Sequence, residues 1–235
     1  MSNAGDKKSM DINPKDSLIL NFDILPPETK SAFDFLSSQP WLSQSGWYLA
    51  GGTALALQAK HRRSVDLDFF TTEKDFDKSE LLSNFLGHSN WKTTFNRKNT
   101  IYGELLGAKV SFIAFPFFVP KQEFISYGAV RVLSSLDIAV MKIIAISQRG
   151  RKRDFFDLYW CAKNIEPLEE TIKRLKIQYP TVAHDYPHIL KSLVYFVDAE
   201  SDPEPEIFFK TSWQGVKDFF EKEIPTIIKE LIIKD

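Results

Sequence analysis

The segment "YLAGGTALALQAKHRRSVDLDFF", Tyr48 to Phe70, narrows the possible folds more than any other stretch of the chain. Trp47 to Ala50 reads as a short strand ended by Gly51-Gly52, and Thr53 to Lys60 as a helix that starts on the glycine turn. Ser64 to Phe70 reads as a second strand. Side chains alternate along a strand, so Asp66 and Asp68 share one face while Val65, Leu67 and Phe69 anchor the other in the core. Neither the glycines nor the aspartates come free. Glycine weakens regular structure, and carboxylates in an apolar run must face water or hold something positive.

Two carboxylates on one strand face repel unless a cation lies between them. Hard carboxylate oxygens suit magnesium, which keeps water and substrate phosphates in its remaining positions. Taken alone, an Asp-x-Asp pair more often faces solvent at a strand end. The glycines alter that balance, because a Gly-Gly turn lets backbone amides approach a ligand and the helix start behind it favours anions. Thr53 adds a hydroxyl donor. A phosphate cradle beside a metal-binding pair is what nucleotidyl transfer needs.

The rest of the chain divides into two parts. "FDKSELLSNFLGH" reads as an amphipathic helix; Trp91–Asn96, Thr100–Leu106 and Lys109–Phe115 read as strands, the last two a hairpin about Gly107. Beyond Pro116 and Pro120 the pattern turns helical. Ser134 or Ser135 caps a helix to about Gln148, Gly150 breaks it, and Arg153–Lys163 forms the next. Further helices are expected to be interrupted at Pro180, around Pro203-Pro205 and at Pro225. The expected organisation is a disordered leader or cloning remnant over 1–16, an α/β domain of the α+β type over 17–130, and a helical domain over 131–235. The formal net charge of −1 gives no global reason to expect strong nucleic-acid binding, so any such contact needs a local patch. A single cysteine, Cys161, excludes an internal disulfide and fits a reducing cytoplasm. No apolar run reaches the roughly 20 residues that span a bilayer.

The glycine–aspartate segment resembles the signature of the nucleotidyltransferase superfamily, and more narrowly that of the AbiEii/AbiGii-type toxin family. That family reads Gly-Gly-Thr-x-Leu, then His-Arg-x-Ser-x-Asp-φ-Asp-φ-Phe with φ apolar. The counterparts are Gly51, Gly52, Thr53 and Leu55, then His61, Arg62, Ser64, Asp66, Asp68 and Phe69. A second segment, "LDIAVMKIIAISQRGRKRDFFDLYW", resembles the family's later motif of a lysine-bearing helix, a basic turn and Arg-Asp-φ-φ-Asp-φ. On residues alone, Lys142 could snorkel along its apolar helix. Asp154 and Asp157, three apart near a helix start, could cap it or pair with Arg149, Arg151 or Arg153.

The resemblance implies a nucleotidyltransferase-like mixed sheet with flanking helices, followed by a helical carboxy-terminal region. It implies Mg2+ (or Mn2+) on Asp66 and Asp68, a nucleoside triphosphate as substrate, and nucleotide contacts from Gly51, Gly52, Thr53, Arg62, Ser64 and Lys142. It also implies a catalytic set of Asp66, Asp68 and Lys142 with Asp154 or Asp157 serving the site. The acceptor would be an RNA hydroxyl at the 3′ end of a transfer RNA. The role would be that of a cytoplasmic toxin in a toxin–antitoxin or phage-abortive-infection system, with an antitoxin partner and no membrane. Ser111 is a departure, because many nucleotidyltransferases carry a third carboxylate at that strand position. The general base is therefore open among Glu104, Asp154, Asp157, a substrate phosphate and water. Lys60–Arg63 and Arg149–Arg153 are expected to converge on the cleft. A small-molecule or protein acceptor, or a nucleotide-binding module without chemistry, are the competing readings.

Overall fold

A computed structural model describes residues 20–87 and 91–231; the expected leader lies outside the described residues. Its centre is a seven-stranded mixed sheet. In chain order the strands are β1 (Tyr48–Ala50), β2 (Leu67–Thr71), β3 (Lys92–Arg97), β4 (Thr100–Leu105), β5 (Ala108–Ala114), β6 (Ile125–Tyr127) and β7 (Val130–Val132). Their order across the sheet is β3-β4-β5-β2-β1-β7-β6. β1 runs antiparallel to β2 and parallel to β7, and β2 runs parallel to β5, so the glycine-bearing strand and the aspartate-bearing strand lie side by side at the middle.

Along β2, Leu67, Phe69 and Thr71 are buried while Asp68 and Phe70 face the opposite side. The buried side meets an aromatic cluster: Phe69 stacks on Phe112 of β5 at 5.2 Å between ring centroids, and Trp47 meets Phe112 edge-on at 5.1 Å. The fully buried Phe69 and Phe112 each contribute on the order of 1.5–3 kcal/mol, enough to fix the β2–β5 register and with it the direction of Asp68. Val65 departs from the expected alternation. It precedes the strand, is 45% exposed, and its carbonyl accepts a hydrogen bond from Thr29. Asp66 likewise sits one residue before β2.

α1 (Pro27–Ser37) and α2 (Pro40–Ser43) precede β1, and α3 (Gly51–Ala59) starts at the first glycine, two residues before the sequence expectation. Its residues Thr53 to Leu57 are all buried, which suits a short helix enclosed by sheet and helices. α4 (Lys78–Ser83) follows β2, and over the Asp68 side lie α5 (Ser135–Arg149) and α6 (Lys152–Asn164). Ser134 caps α5 by accepting from the Asp137 amide, and Gly150 closes it at φ 53°, where a side chain would be strained.

The hairpin β6–β7 continues the sheet past residue 120, and β7 spans the expected domain boundary at 130. One hydrophobic cluster also runs through both segments, from Leu49 and Phe112 to Phe155 and Phe220. The last helix, Trp213–Leu231, runs through Pro225 instead of breaking there. Val216, Phe220, Ile224 and Ile227 form a buried stripe along it, and that burial outweighs the single backbone bond that proline removes. Among the described residues no helix is long and apolar enough to cross a membrane.

Candidate active site

The strand ends and helices enclose a cleft of about 670 Å³. Gly51, Gly52, Ser64, Asp66 and Asp68 line one end, and Arg62, Lys142, Arg149 and Arg153 stand along a wall. Phe70, Ile113, Phe115, Met141, Ile144 and Tyr179 make the rest largely apolar.

Asp68 is fixed from two sides. Ser111, its register partner on β5, donates to Oδ1 at 2.7 Å. Its Oδ2 lies 3.1 Å from where a side chain on Gly51 would begin, and Gly51 has φ +72°. The elbow therefore needs glycine for both conformation and space. Burial pushes the Asp68 carboxyl up, opposed by the Ser111 hydrogen bond and reinforced by the neighbouring Asp66 charge. The Arg153 guanidinium stands 3.8 Å from Asp66. Behind the elbow, α3 begins on Ala50 with no side-chain cap. Its first amides are thus left to whatever occupies the cleft. An uncapped helix start favours an anion.

Beneath this end lies a buried charge cluster. Asp157 accepts from Arg62 Nε at 2.6 Å and Nη2 at 2.8 Å, from His61 at 2.7 Å, and pairs with Lys142 Nζ at 2.6 Å. Lys142 also donates to Asp154 at 2.6 Å, and Arg149 reaches Asp154 at 3.0 Å. Burial alone would raise both carboxyls. For Asp157 the Arg62 and Lys142 charges outweigh it and hold the group well below the usual range. For Asp154, Lys142 and Arg149 likewise hold the group low. His61 is pushed down by burial against the opposing pull of Asp157, so it is neutral here, and its Nδ1 has no partner. Three cations (Arg62, Lys142, Arg149) meet two anions, which leaves the wall facing the aspartate pair with a positive surplus.

The family model for the AbiEii nucleotidyltransferase toxin of type IV toxin–antitoxin systems matches residues 41–111 and 115–230. The chain belongs to this family. It is a nucleotidyltransferase. An uncharacterised protein of Aquifex aeolicus is 36% identical over 181 residues, covering 76% of this chain and 86% of that protein. In fold the chain is similar to MenT4, a nucleotidyltransferase toxin of Mycobacterium tuberculosis, with a TM-score of 0.54 at 15% identity over 86% of this chain and 85% of that one. It is also similar to JHP933 of Helicobacter pylori, with a TM-score of 0.52 at 18% identity over 89% of this chain and 96% of that one.

Within this AbiEii chain the cleft gathers Gly51, Gly52, Arg62, Ser64, Asp66, Asp68 and Lys142 from the residues singled out in the sequence. Three others stand elsewhere. The Thr53 hydroxyl is buried, donates to the Asp66 carbonyl and lies 2.9 Å from Ser64 Oγ, so it braces the Asp66 turn instead of facing the cleft. Asp154 and Asp157 are fully buried beneath the wall, and with their protons held off by cations they are poor general bases. The carboxylates that do line the cleft are Asp66, Asp68 and Glu104. Glu104 pairs with Lys109 across β4–β5, further along the floor than Ser111.

The basic clusters converge only in part. Arg62, Arg149 and Arg153 reach the cleft, whereas Lys60 pairs with Asp23, Arg63 with Glu206 and Arg151 with Asp202. Gly52 has a second purpose that the sequence pattern did not reveal. A side chain there would start 2.3 Å from Arg62 Nη2, so the glycine admits the guanidinium that clasps Asp157. The apolar lining was also missed, although period two along β5 puts Ser111, Ile113 and Phe115 on the Asp68 side.

Among the described residues no group of three or more His, Cys, Asp or Glu side chains could hold a metal on its own. Asp66 and Asp68 still fit a hard divalent ion whose other ligands are water and phosphate oxygens. Both line the same cleft, and the Asp68 carboxyl is strained by an adjacent like charge.

Proposed function

We propose that this AbiEii enzyme transfers a nucleoside monophosphate from a nucleoside triphosphate to an RNA hydroxyl at the 3′ end of a transfer RNA. Asp66 and Asp68 would hold magnesium, or manganese in its place, and the metal when bound would neutralise phosphate charge. The uncapped start of α3 at Gly51 and Gly52 takes phosphate oxygens on its amides. Ser64 offers a hydroxyl beside it, and Arg62 and Lys142 supply positive potential from the wall. The apolar part of the cleft, with Phe70, Phe115 and Tyr179, suits a nucleobase. The acceptor oxygen bonds to the α-phosphorus as the α–β phosphoanhydride breaks and pyrophosphate leaves. The hydroxyl proton passes to Glu104, water or a substrate phosphate, because the buried Asp154 and Asp157 cannot receive it.

One observation carries the reading. Asp68 Oδ2 lies 3.1 Å from where a Cβ on Gly51 would sit, so a polyphosphate on the elbow lies against the aspartate pair. Modification of transfer RNA would block translation, in keeping with a toxin held in check by a cognate antitoxin. The test is a transfer assay with each labelled triphosphate, magnesium and total RNA. Label should enter the RNA with the wild type, and Asp66→Ala and Asp68→Asn should abolish it while melting near the wild-type temperature. Label recovered only in small molecules or protein would refute the RNA acceptor; an unchanged rate in both variants would refute the aspartate assignment.

A further inference from the structure

We propose that Phe95 and Tyr102 form a stacking ledge for the unpaired 3′-terminal bases of the RNA acceptor, a site that rests on the RNA reading above. Strand register carries the argument. Ala50, Asp68, Ser111, Tyr102 and Phe95 are successive partners across β1, β2, β5, β4 and β3. Partners in neighbouring strands point to the same side of a sheet. The row therefore leads from the catalytic aspartate out along the cleft floor, and three strand spacings put Phe95 about 14 Å from Asp68. That distance suits a few unpaired nucleotides whose last hydroxyl reaches the aspartate pair.

The two rings are built as a platform. They stack at 5.0 Å between centroids and 23° between planes, yet Phe95 is 37% and Tyr102 41% exposed. Every residue of β3 is exposed. Tyr102 also lines the cleft, which makes the ledge continuous with the candidate active site. Arg97 lies over the Phe95 ring at 5.4 Å.

Charge names the occupant. In a chain of net charge −1, the span from Lys92 to Lys109 carries Lys92, Arg97, Lys98 and Lys109 against Glu104 alone. Lys78 adds its ammonium at the Arg97 carbonyl. Aromatic faces that take bases of any sequence, set among cations that track a phosphate backbone, are the recognition chemistry of single-stranded nucleic acid. A protein partner would favour a larger apolar centre, whereas Thr94 and Arg97 flank Phe95 on β3, and Lys92 and Lys109 lie two residues along in register, on either side of Glu104.

The test reads binding without triphosphate, so it stands apart from the transfer reaction. The full chain is titrated into an RNA hairpin whose unpaired 3′ end carries 2-aminopurine. Stacking on the ledge should quench the fluorophore. Phe95→Ala and Tyr102→Leu should each weaken binding about five- to a hundredfold, and Tyr102→Phe should keep it. Blunt-ended duplex RNA should bind the wild type and the variants alike. In the transfer assay Phe95→Ala should raise KM for RNA and leave KM for the triphosphate unmoved. Because the rings also pair across the hairpin, melting temperatures accompany each variant, and Phe95→Leu replaces Phe95→Ala if the latter is poorly folded. Folded variants that bind the single-stranded end with wild-type affinity would overturn the ledge, as would variants that lose only a protein partner. Quenching that is lost in the ring variants, without any RNA transfer by the wild type, would uphold the ledge and refute the RNA acceptor. Transfer that is indifferent to both rings would do the reverse.

Discussion

Replacing Asp157 by asparagine isolates what the buried cluster does. The side chain is fully buried and holds Arg62 through two nitrogens, Lys142 and His61, all at 2.6 to 2.8 Å. Asparagine has the same shape, but its amide turns an N–H toward groups that are themselves donors, and the negative charge is gone. Arg62 and Lys142 are nearly as buried as the aspartate, so little of either charge reaches water. Breaking a buried pair in this way costs about 3–5 kcal/mol. For a chain of this size that lowers the melting temperature by about 6–20 °C. Asp154→Asn should cost less, because Arg149 is 52% exposed and Lys142 keeps Asp157. The assay is thermal unfolding at neutral pH, with nucleotide transfer measured on the folded fraction. A carboxyl held below its ordinary 3.8 stabilises the fold above that value and stops doing so as pH falls through its folded value. Below about pH 4 the wild type should therefore lose stability more steeply than the variant. An Asp157→Asn protein that melts within about 2 °C of the wild type but transfers no nucleotide would refute the clasp and make Asp157 catalytic.

Two further outcomes follow from the same geometry. His61 is buried neutral with its pKa lowered from 6.5, so the unfolded chain takes up a proton that the folded chain refuses. Stability should fall as pH drops below about 6.5, and His61→Gln, still able to donate to Asp157, should flatten that slope in melts between pH 7 and pH 5. Gly52→Ala puts a methyl 2.3 Å from Arg62 Nη2 and 3.2 Å from Ser64 Oγ, in a place where the guanidinium is tied to Asp157. Overpacking of this kind costs about 1–3 kcal/mol, and chemical denaturation should register it together with weaker triphosphate binding.

Much of the site was legible because its signals are local. The glycine pair, the helix formers behind it and the alternation around Asp68 all act within a few residues, as do the Ser134 cap and the Gly150 stop. The direction of a side chain set by a distant element was not legible. Asp154 and Asp157 share a helical face whichever way that face turns, and only the packing of α6 on α5 turns it inward toward Lys142. β6 and β7 are three residues each, too short to carry a period, and the prolines before them masked their place in the sheet. Phe95 and Tyr102 look like core residues in a phenylalanine-rich chain. They are exposed because the covering helices lie over the middle of the sheet and leave its β3 edge open.

The most direct measurement is anomalous diffraction from crystals grown with manganese and a non-hydrolysable triphosphate. Manganese should appear between the carboxylates of Asp66 and Asp68, with the phosphates on the amides of Gly51 and Gly52. A triphosphate bound away from the glycine elbow, or manganese held by other side chains, would contradict the account.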